Sequence, residues 1–341
     1  MEIKNQRVTN NPAKYISPLF AKNFTNMAYV WNDLSHDLIF GAVEQIIGSR
    51  LSNLVRQRNS YINRVFELEE LDPPRKLIAK FYRPGRWEPA MIGEEHRFLL
   101  ELAGKEIPVI PPLQFNGQSL FFSGSFPFAL FPKMGGRALD EFDKNGWEMI
   151  GRLLARIHQL GANHRKSSRI TWRPAIATRH HLEVLDRSGY ILPDFRAGFD
   201  QAANGFIERF DPLFKAEDFI LIHGDLHKGN LIHRPGEGIY LVDFDDICLG
   251  PPVQDIWMLL PGKVEQAENE LSWLLKGYGT FLPFDHASLR LVPALRGMRL
   301  IHFAAWLAVQ KDEPDFTRHF PEAGKARYWN ELTREIYDLL D

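Results

Sequence analysis

The sequence predicts a two-lobed α+β protein, with a small β-rich lobe first, a larger α-rich lobe second and a cleft between them. Three observations carry this. Alternating strand patterns cut by breakers lie before Pro132, repeats at three and four residues dominate after it, and one strand-like block, Phe219 to Asp243, interrupts the helical part. At 341 residues, 45% of them hydrophobic, the chain is long enough for two lobes.

The elements follow in order. From Trp31 to about Gly48, WNDLSHDLIFGAVEQIIG sets Leu34, Leu38, Ile39, Ala42, Val43, Ile46 and Ile47 on one helical stripe, which makes it a packing helix. RQRNSYINRVFELEEL alternates Tyr61 and Val65 with polar positions and pairs, across the breaker DPP, with KLIAKFYRP as a β-hairpin. EEHRFLLELAG carries Glu95, Phe98, Leu99 and Leu102 at helical spacing and stops at Gly104, and FFSGSFPFALF supplies two more strands. After a connector near Pro132 to Gly136, WEMIGRLLARIHQLG repeats Ile150, Leu153, Leu154, Ile157 and Leu160 and ends at Gly161. WLLKGYG, LVPALRGMRLIHFAAWLAVQ and RYWNELTREIYDLL continue the helical trend. The expected division is an extension of unknown role over 1–30, a first lobe over 31–132 and a second over 133–341.

Composition excludes several classes. Lys plus Arg total 41 against 43 Asp plus Glu, so a net charge of -2 gives no electrostatic case for a nucleic-acid partner. The single cysteine, Cys248, excludes an intrachain disulfide and a cysteine-rich zinc site, and with it goes the expectation of a reducing, cytoplasmic compartment. No apolar run is long enough for a membrane span and no secretory signal is evident. Lys4, Arg7, Lys14 and Lys22 stand against Glu2 alone in the first 30 residues, which read as an extension rather than a targeting segment.

The chemistry is concentrated in LIHGDLHKGNLIHRPGEGIYLVDFDD. NLIHR and GIYLVD flank the turn residues PGEG, a hairpin signal. A turn centred between Gly236 and Glu237 sets Asn230 opposite Asp243, so an amide oxygen and a carboxylate converge as hard donors suited to magnesium. A slip of one residue would undo that pairing. Asp225, on the turn into the hairpin, is then free to receive a proton. Phosphoryl transfer asks for such an aspartate, for an asparagine and aspartate on magnesium, and for a strand lysine paired to a helix glutamate at the nucleotide phosphates. Lys80 in LIAKFY and Glu95 on the following helix fill the last two places, with Glu94 as the adjacent alternative.

HGDLHKGN and LVDFDD resemble the catalytic and magnesium motifs of the aminoglycoside phosphotransferase-like kinases. LIAKFYRPGRW, EEHRFLLEL, NSYINRV, GPPVQDIWMLL and ALRGMRL resemble the bacterial stress response kinase A family, from about residue 35 to near the end. The resemblance implies a bilobal protein kinase-like fold, ATP and Mg2+ as cofactors, Asp225 as catalytic base, Asn230 and Asp243 as magnesium ligands and Lys80 with Glu95 as the ion pair at the phosphates. It further implies adenine against the backbone from Pro132 to Met134, and Asp255 bracing the catalytic loop, where His223 is a structural histidine. Only FDDICLGPPVQ separates Asp243 from Asp255, too little for a long activation segment, and no GxGxxG precedes Lys80. NSYINRV, with Ser60, is therefore expected to cover the phosphates.

Rival readings were set beside this one. His223, Asp225, His227 and His233 could ligate the metals of a hydrolase, but the further carboxylate and histidine clusters of a two-metal site are not found. A pseudokinase is opposed by the filling of every expected polar role. Asp245 and Asp246 read as a solvated turn, Trp87, Trp172 and Trp257 as packing residues, and Arg296 with Arg299 as a surface or loop-bracing pair. The expected activity is transfer to serine or threonine hydroxyls of protein substrates by a monomer, with no nucleic-acid or membrane partner. The alternative is a small alcohol such as an aminoglycoside, choline or homoserine.

Overall fold

A computed structural model describes residues 31–58, 60, 62–139 and 141–341, so the extension over 1–30, and Asn59 and Tyr61 within NSYINRV, lie outside the described residues. The first helix, α1 (His36–Ile47), begins later than its apolar stripe because the Ser35 side chain caps it by accepting from Leu38 N–H, and it ends at the left-handed Gly48. Ile39 and Val43 are fully buried, and with Phe66, Phe81 and Phe128 they fill the space between α1 and a sheet.

That sheet is antiparallel in the order β1–β2–β3–β5–β4, with β1 (Leu51–Arg58), β2 (Arg64–Leu71), β3 (Pro74–Phe81), β4 (Phe121–Ser123) and β5 (Phe126–Pro132). The stretch from Arg56 to Leu71 was expected to be one strand. It is the end of β1, a turn and β2, and β2 alone pairs with β3 across Asp72 and Pro73, Leu71 facing Pro74. The β1–β2 ladder closes with Arg58 facing Val65. Helix α2 (Pro89–Gly104) starts on a proline at its first turn and buries Ile92, Glu95, Phe98 and Leu99.

The second part is mainly helical. Helix α3 (Lys144–Gly161) is capped by Asp143, which accepts from Gly146 N–H, and it meets α7 (Glu268–Tyr278) closely enough that a Cβ at Gly151 would lie 1.9 Å from Leu274 O. A second core gathers α4 (Arg179–Ser188), α5 (Pro193–Phe210), α8 (Val292–Gln310) and α10 (Ala326–Asp338) around Phe199, Phe206, Met298 and Trp329. Two small sheets, β6 (Ile220–Ile222) with β9 (Cys248–Gly250) and β7 (Leu231–Arg234) with β8 (Gly238–Leu241), sit between these helices and the first sheet. Residue Arg137, just past the connector, exchanges backbone hydrogen bonds with His233 of β7, at 3.1 and 2.9 Å, and Leu241 N–H of β8 donates to Pro108 O of the first lobe at 3.0 Å. Among the described residues no helix is long and apolar enough to cross a membrane.

Candidate active site

The loop after β6 is held from below. Asp255, fully buried on the short helix α6 (Val253–Trp257), accepts the backbone N–H of His223 and Gly224, each at 2.8 Å, and His158 Nε2 at 3.1 Å, while His158 Nδ1 meets the Tyr278 hydroxyl at 3.0 Å. A glycine is required at 224, where φ is +81° and a Cβ would lie 2.4 Å from Asp246 O. The buried His223 ring stacks at a tilt on Phe244 and spends its Nε2 on Val242 O at 3.0 Å. His227 Nδ1 accepts from Gly229 N–H, and His233 lies in β7 opposite Ile239, so these imidazoles serve separate local structures. Asp225 leaves the loop with its carboxylate toward the cleft, where Arg299 Nη2 of α8 stands 2.6 Å from its Oδ1.

The hairpin carries a correction. Leu231 faces Leu241 and Arg234 faces Gly238, so the turn is the three residues Pro235, Gly236 and Glu237, and Asn230 lies opposite Val242 rather than Asp243. Gly236 and Gly238 both take positive φ, which centres the turn on Gly236 and moves the ladder by one residue. The ladder then ends: Val242 N–H donates to Asn230 O at 3.0 Å, and Asp243 turns into the left-handed region at φ 65°. That turn, not cross-strand pairing, sends the Asp243 carboxylate into the cleft, 58% exposed. Asn230 is buried and gives its Nδ2 to the Asp225 carbonyl at 2.9 Å, so the remaining donor atom of its amide is the oxygen.

Lys80 also differs from expectation. Its Nζ is bonded to Asp245 Oδ1 and lies 3.7 Å from Asp243 Oδ1, and it makes no ion pair with Glu95. Asp245 is buried and not a solvated turn residue: Asn63 Nδ2 donates to it at 2.5 Å and Arg86 Nη1 lies 3.5 Å away. Burial works against its charge, but Lys80 and Arg86 outweigh this and hold the carboxyl at about 2. The same partnership lifts Lys80 above its ordinary range against the cost of burial. Asp246 takes Arg86 Nη2 at 2.7 Å.

Glu95 is the inward residue of its pair, since Glu94 points away and accepts from Ser168 Oγ at 2.6 Å. Glu95 Oε2 lies 3.4 Å from Arg169 Nη2, and Arg169, itself buried, also donates to Asp245 O at 2.6 Å and to Met91 O at 2.9 Å. Burial, and then the Asp245 charge, raise the Glu95 carboxyl to about 8, with Lys80 and Arg169 acting the other way. Lys80 thus has its bonded carboxylate in Asp245, and the Glu95 carboxyl, raised by burial, lies against Arg169.

These groups open into one cleft of about 710 Å³, a volume suited to a nucleotide-sized ligand. Ser60, Lys80, Glu95, Pro132, Met134, Asp225 and Asp243 all line it, and Asn230 lies just beneath through its bond to Asp225. Pro132 pairs with Leu77 at the end of β5, and Lys133 N–H donates to Lys76 O at 3.1 Å, fixing the backbone that enters Met134. Asn63, Arg86, Arg169, Asp245 and Arg299 belong to the site and were not assigned to it from the sequence. No local pattern announced them: Phe244 and Asp245 are buried in a single helical turn that follows the left-handed Asp243.

A profile of the phosphotransferase enzyme family matches residues 55–292. Stress response kinase A of Escherichia coli (strain K12) is 36% identical over 310 residues, covering 89% of this chain and 92% of that protein. Serine/threonine protein kinase RdoA of Salmonella typhimurium (strain LT2) is 36% identical over 280 residues, 81% of this chain and 83% of that one. Among solved structures, amicoumacin kinase hAmiN in complex with AMP-PNP, Ca2+ and Ami superposes with a TM-score of 0.66 at 21% identity, covering 84% of this chain and 88% of that one. Choline kinase LicA from Streptococcus pneumoniae does so at 0.60 with 17% identity, over 87% and 98%. Likeness across most of both chains leaves one assignment: this chain belongs to the phosphotransferase enzyme family, in the group of the stress response kinases A, on a bilobal kinase-like α+β fold.

Proposed function

We propose that this chain is an ATP- and magnesium-dependent kinase that phosphorylates serine or threonine in proteins, with its lobes, 31–132 and 133–341, meeting at the connector. The observation that carries the reading is the convergence of Asp225, Asp243 and Lys80 on one cleft, above a loop that Asp255 holds by two backbone N–H groups. In the reaction the acceptor oxygen bonds to the γ-phosphorus as the bond from that phosphorus to the bridging oxygen breaks. ADP leaves, and the hydroxyl proton passes to Asp225. Catalysis of this kind rests on positioning and charge placement.

The exposed Asp243 carboxylate and the Asn230 amide, whose nitrogen is already committed, are hard oxygen donors that fit Mg2+. Bound there, the ion would neutralise phosphate charge. In this reading Lys80 serves the phosphates, Ser60 their outer side and the backbone from Pro132 to Met134 adenine, supported by the cleft they all line. Glu95, held by Arg169, acts as a neighbour of the phosphate site rather than as the standing partner of Lys80.

The relatives named for a protein acceptor are similar over most of the chain, whereas the structures named for small acceptors share the fold at low identity, and this favours protein. A cytoplasmic location fits a chain whose one cysteine is buried and unpaired. The test is labelled ATP and Mg2+ with the full chain, generic basic proteins, and a panel of aminoglycosides, choline and homoserine. Label on serine or threonine, stable to hydroxylamine and reduced about 100-fold or more in Asp225→Asn, is the expected result. Efficient turnover of one small alcohol with no labelled protein would replace this reading with a metabolite kinase.

A further inference from the structure

A second cavity adjoins the nucleotide cleft, and Asp225 and Arg299 stand in the wall of both. It measures about 150 Å³, the size of an apolar cavity that takes one benzene ring. Its walls are mostly carbon, with Trp87, Trp172, Ile176, Val184, Ala305 and Val309 brought together from the two lobes. The charged groups in these walls are already paired, whereas Trp172 Nε1 and His181 Nδ1 make no hydrogen bond among the described residues. Arg86 is bonded to Asp246, Arg299 is paired with Asp225, and His302 Nδ1 meets His181 Nε2 at 3.0 Å. Burial, and then neighbouring positive charge, hold both histidines below their ordinary range, so they are neutral at pH 7.

This chemistry selects the occupant. A cation would meet three guanidiniums, of Arg83, Arg86 and Arg299, and only carboxylates already paired to arginine. The rings in these walls are already faced by other groups: the Trp87 ring carries the Arg169 and Arg86 guanidiniums at 4.4 and 5.2 Å, the Trp172 ring meets His181 and His302 at 5.9 and 5.5 Å, and the Trp306 ring stacks on Phe303 at 5.7 Å, which disfavours a quaternary ammonium. An anion would have to displace a carboxylate from Arg86 or Arg299. An uncharged apolar group displaces nothing.

We infer that this cavity receives an apolar side chain of leucine, methionine or phenylalanine size from a residue flanking the serine or threonine acceptor in the protein substrate. The inference rests on the protein-acceptor reading above. With the acceptor hydroxyl at Asp225, and successive Cα atoms about 3.8 Å apart, only residues within about two positions of the acceptor can reach a cavity that Asp225 itself walls. Burial of such a side chain in place of alanine is worth about 10- to 100-fold in kcat/KM.

The test is phosphorylation of a serine- and threonine-centred peptide library by the full chain with Mg-ATP, scanned over the two positions on each side. One position should prefer leucine, methionine or phenylalanine over alanine by at least about tenfold, and should reject lysine and glutamate. Ile176→Trp and Val309→Trp fill the cavity from two different elements and should flatten that preference, with thermal stabilisation by AMP-PNP as the check that each variant is folded. Equal incorporation at every position in the wild-type protein, or a preference unchanged in both variants, overturns the cavity assignment and leaves the protein-kinase reading standing. Absence of label in every peptide, beside turnover of choline or another small alcohol, overturns both.

Discussion

Arg299 Nη2 lies 2.6 Å from Asp225 Oδ1, although the two residues belong to α8 and to the loop after β6. Both side chains are partly exposed to the cleft, so the pair is a feature of the reaction space and not of the core. The guanidinium charge at this distance orients the carboxylate through Oδ1 and leaves Oδ2 for an acceptor hydroxyl. Arg299→Met should lower kcat by about 10- to 100-fold with the KM for ATP within about twofold, because positioning is lost and nucleotide contacts are not. Arg299→Lys, which keeps the charge without the fork, should fall between. Steady-state kinetics decide it, and a wild-type kcat in Arg299→Met would reject the role.

Asp255 satisfies two buried backbone N–H groups and one imidazole. Asp255→Ala strands all three, each at a cost of about 1–3 kcal/mol, so unfolding free energy should fall by roughly 3 kcal/mol or more. Transfer should fall with it, since the same bonds position Asp225. Urea unfolding measures the first effect, and a loss below about 1 kcal/mol would contradict it.

Glu95 supplies a pH dependence. Its carboxyl moves from an ordinary 4.5 to about 8 on folding, so between those values the folded chain keeps a proton that the unfolded chain has released. More protons bound to the folded state means that stability falls as pH rises through this window. Glu95→Gln mimics the protonated form. It should melt with the wild type near about pH 5 and a few degrees above it by about pH 8.5. Parallel melting curves across the range would show that Glu95 is ionised in the fold.

Asp243 is exposed in the cleft and ends the β7–β8 ladder by its backbone, not its side chain. Asp243→Asn should therefore leave the metal-free melting temperature within about 2 °C of wild type while raising the magnesium needed for half-maximal turnover by about tenfold or more. A magnesium titration that superposes on the wild-type curve would remove Asp243 from the metal site.

The strands, helices and hairpin of this chain were legible because each is announced locally, by period-two alternation in FELEEL and KLIAKF, by the stripe in WEMIGRLLARIHQLG and by turn residues in PGEG. The family was legible for the same reason: HGDLHKGN and LVDFDD are contiguous. What misled was geometry at single-residue precision. The hairpin centre moved by one position because the φ angles of Gly236 and Gly238 chose a three-residue turn, and α1 started late because Ser35 capped it.

The sequence by itself determined a two-lobed α+β phosphotransferase and named Asp225, Asn230, Asp243, Lys80 and Glu95 as candidates for its polar set, since motif, spacing and hydrophobic period are properties of neighbouring residues. Only the tertiary structure decided which charges meet. Lys80 pairs with Asp245 rather than with Glu95, whose buried carboxyl lies against Arg169. Arg169 and Arg299 enter the site from elements far along the chain, and the apolar cavity beside Asp225 exists only where the two lobes close on Trp87 and Trp172. Charge partners and cavities depend on distance in space and on local polarity, and neither is a function of distance along the chain.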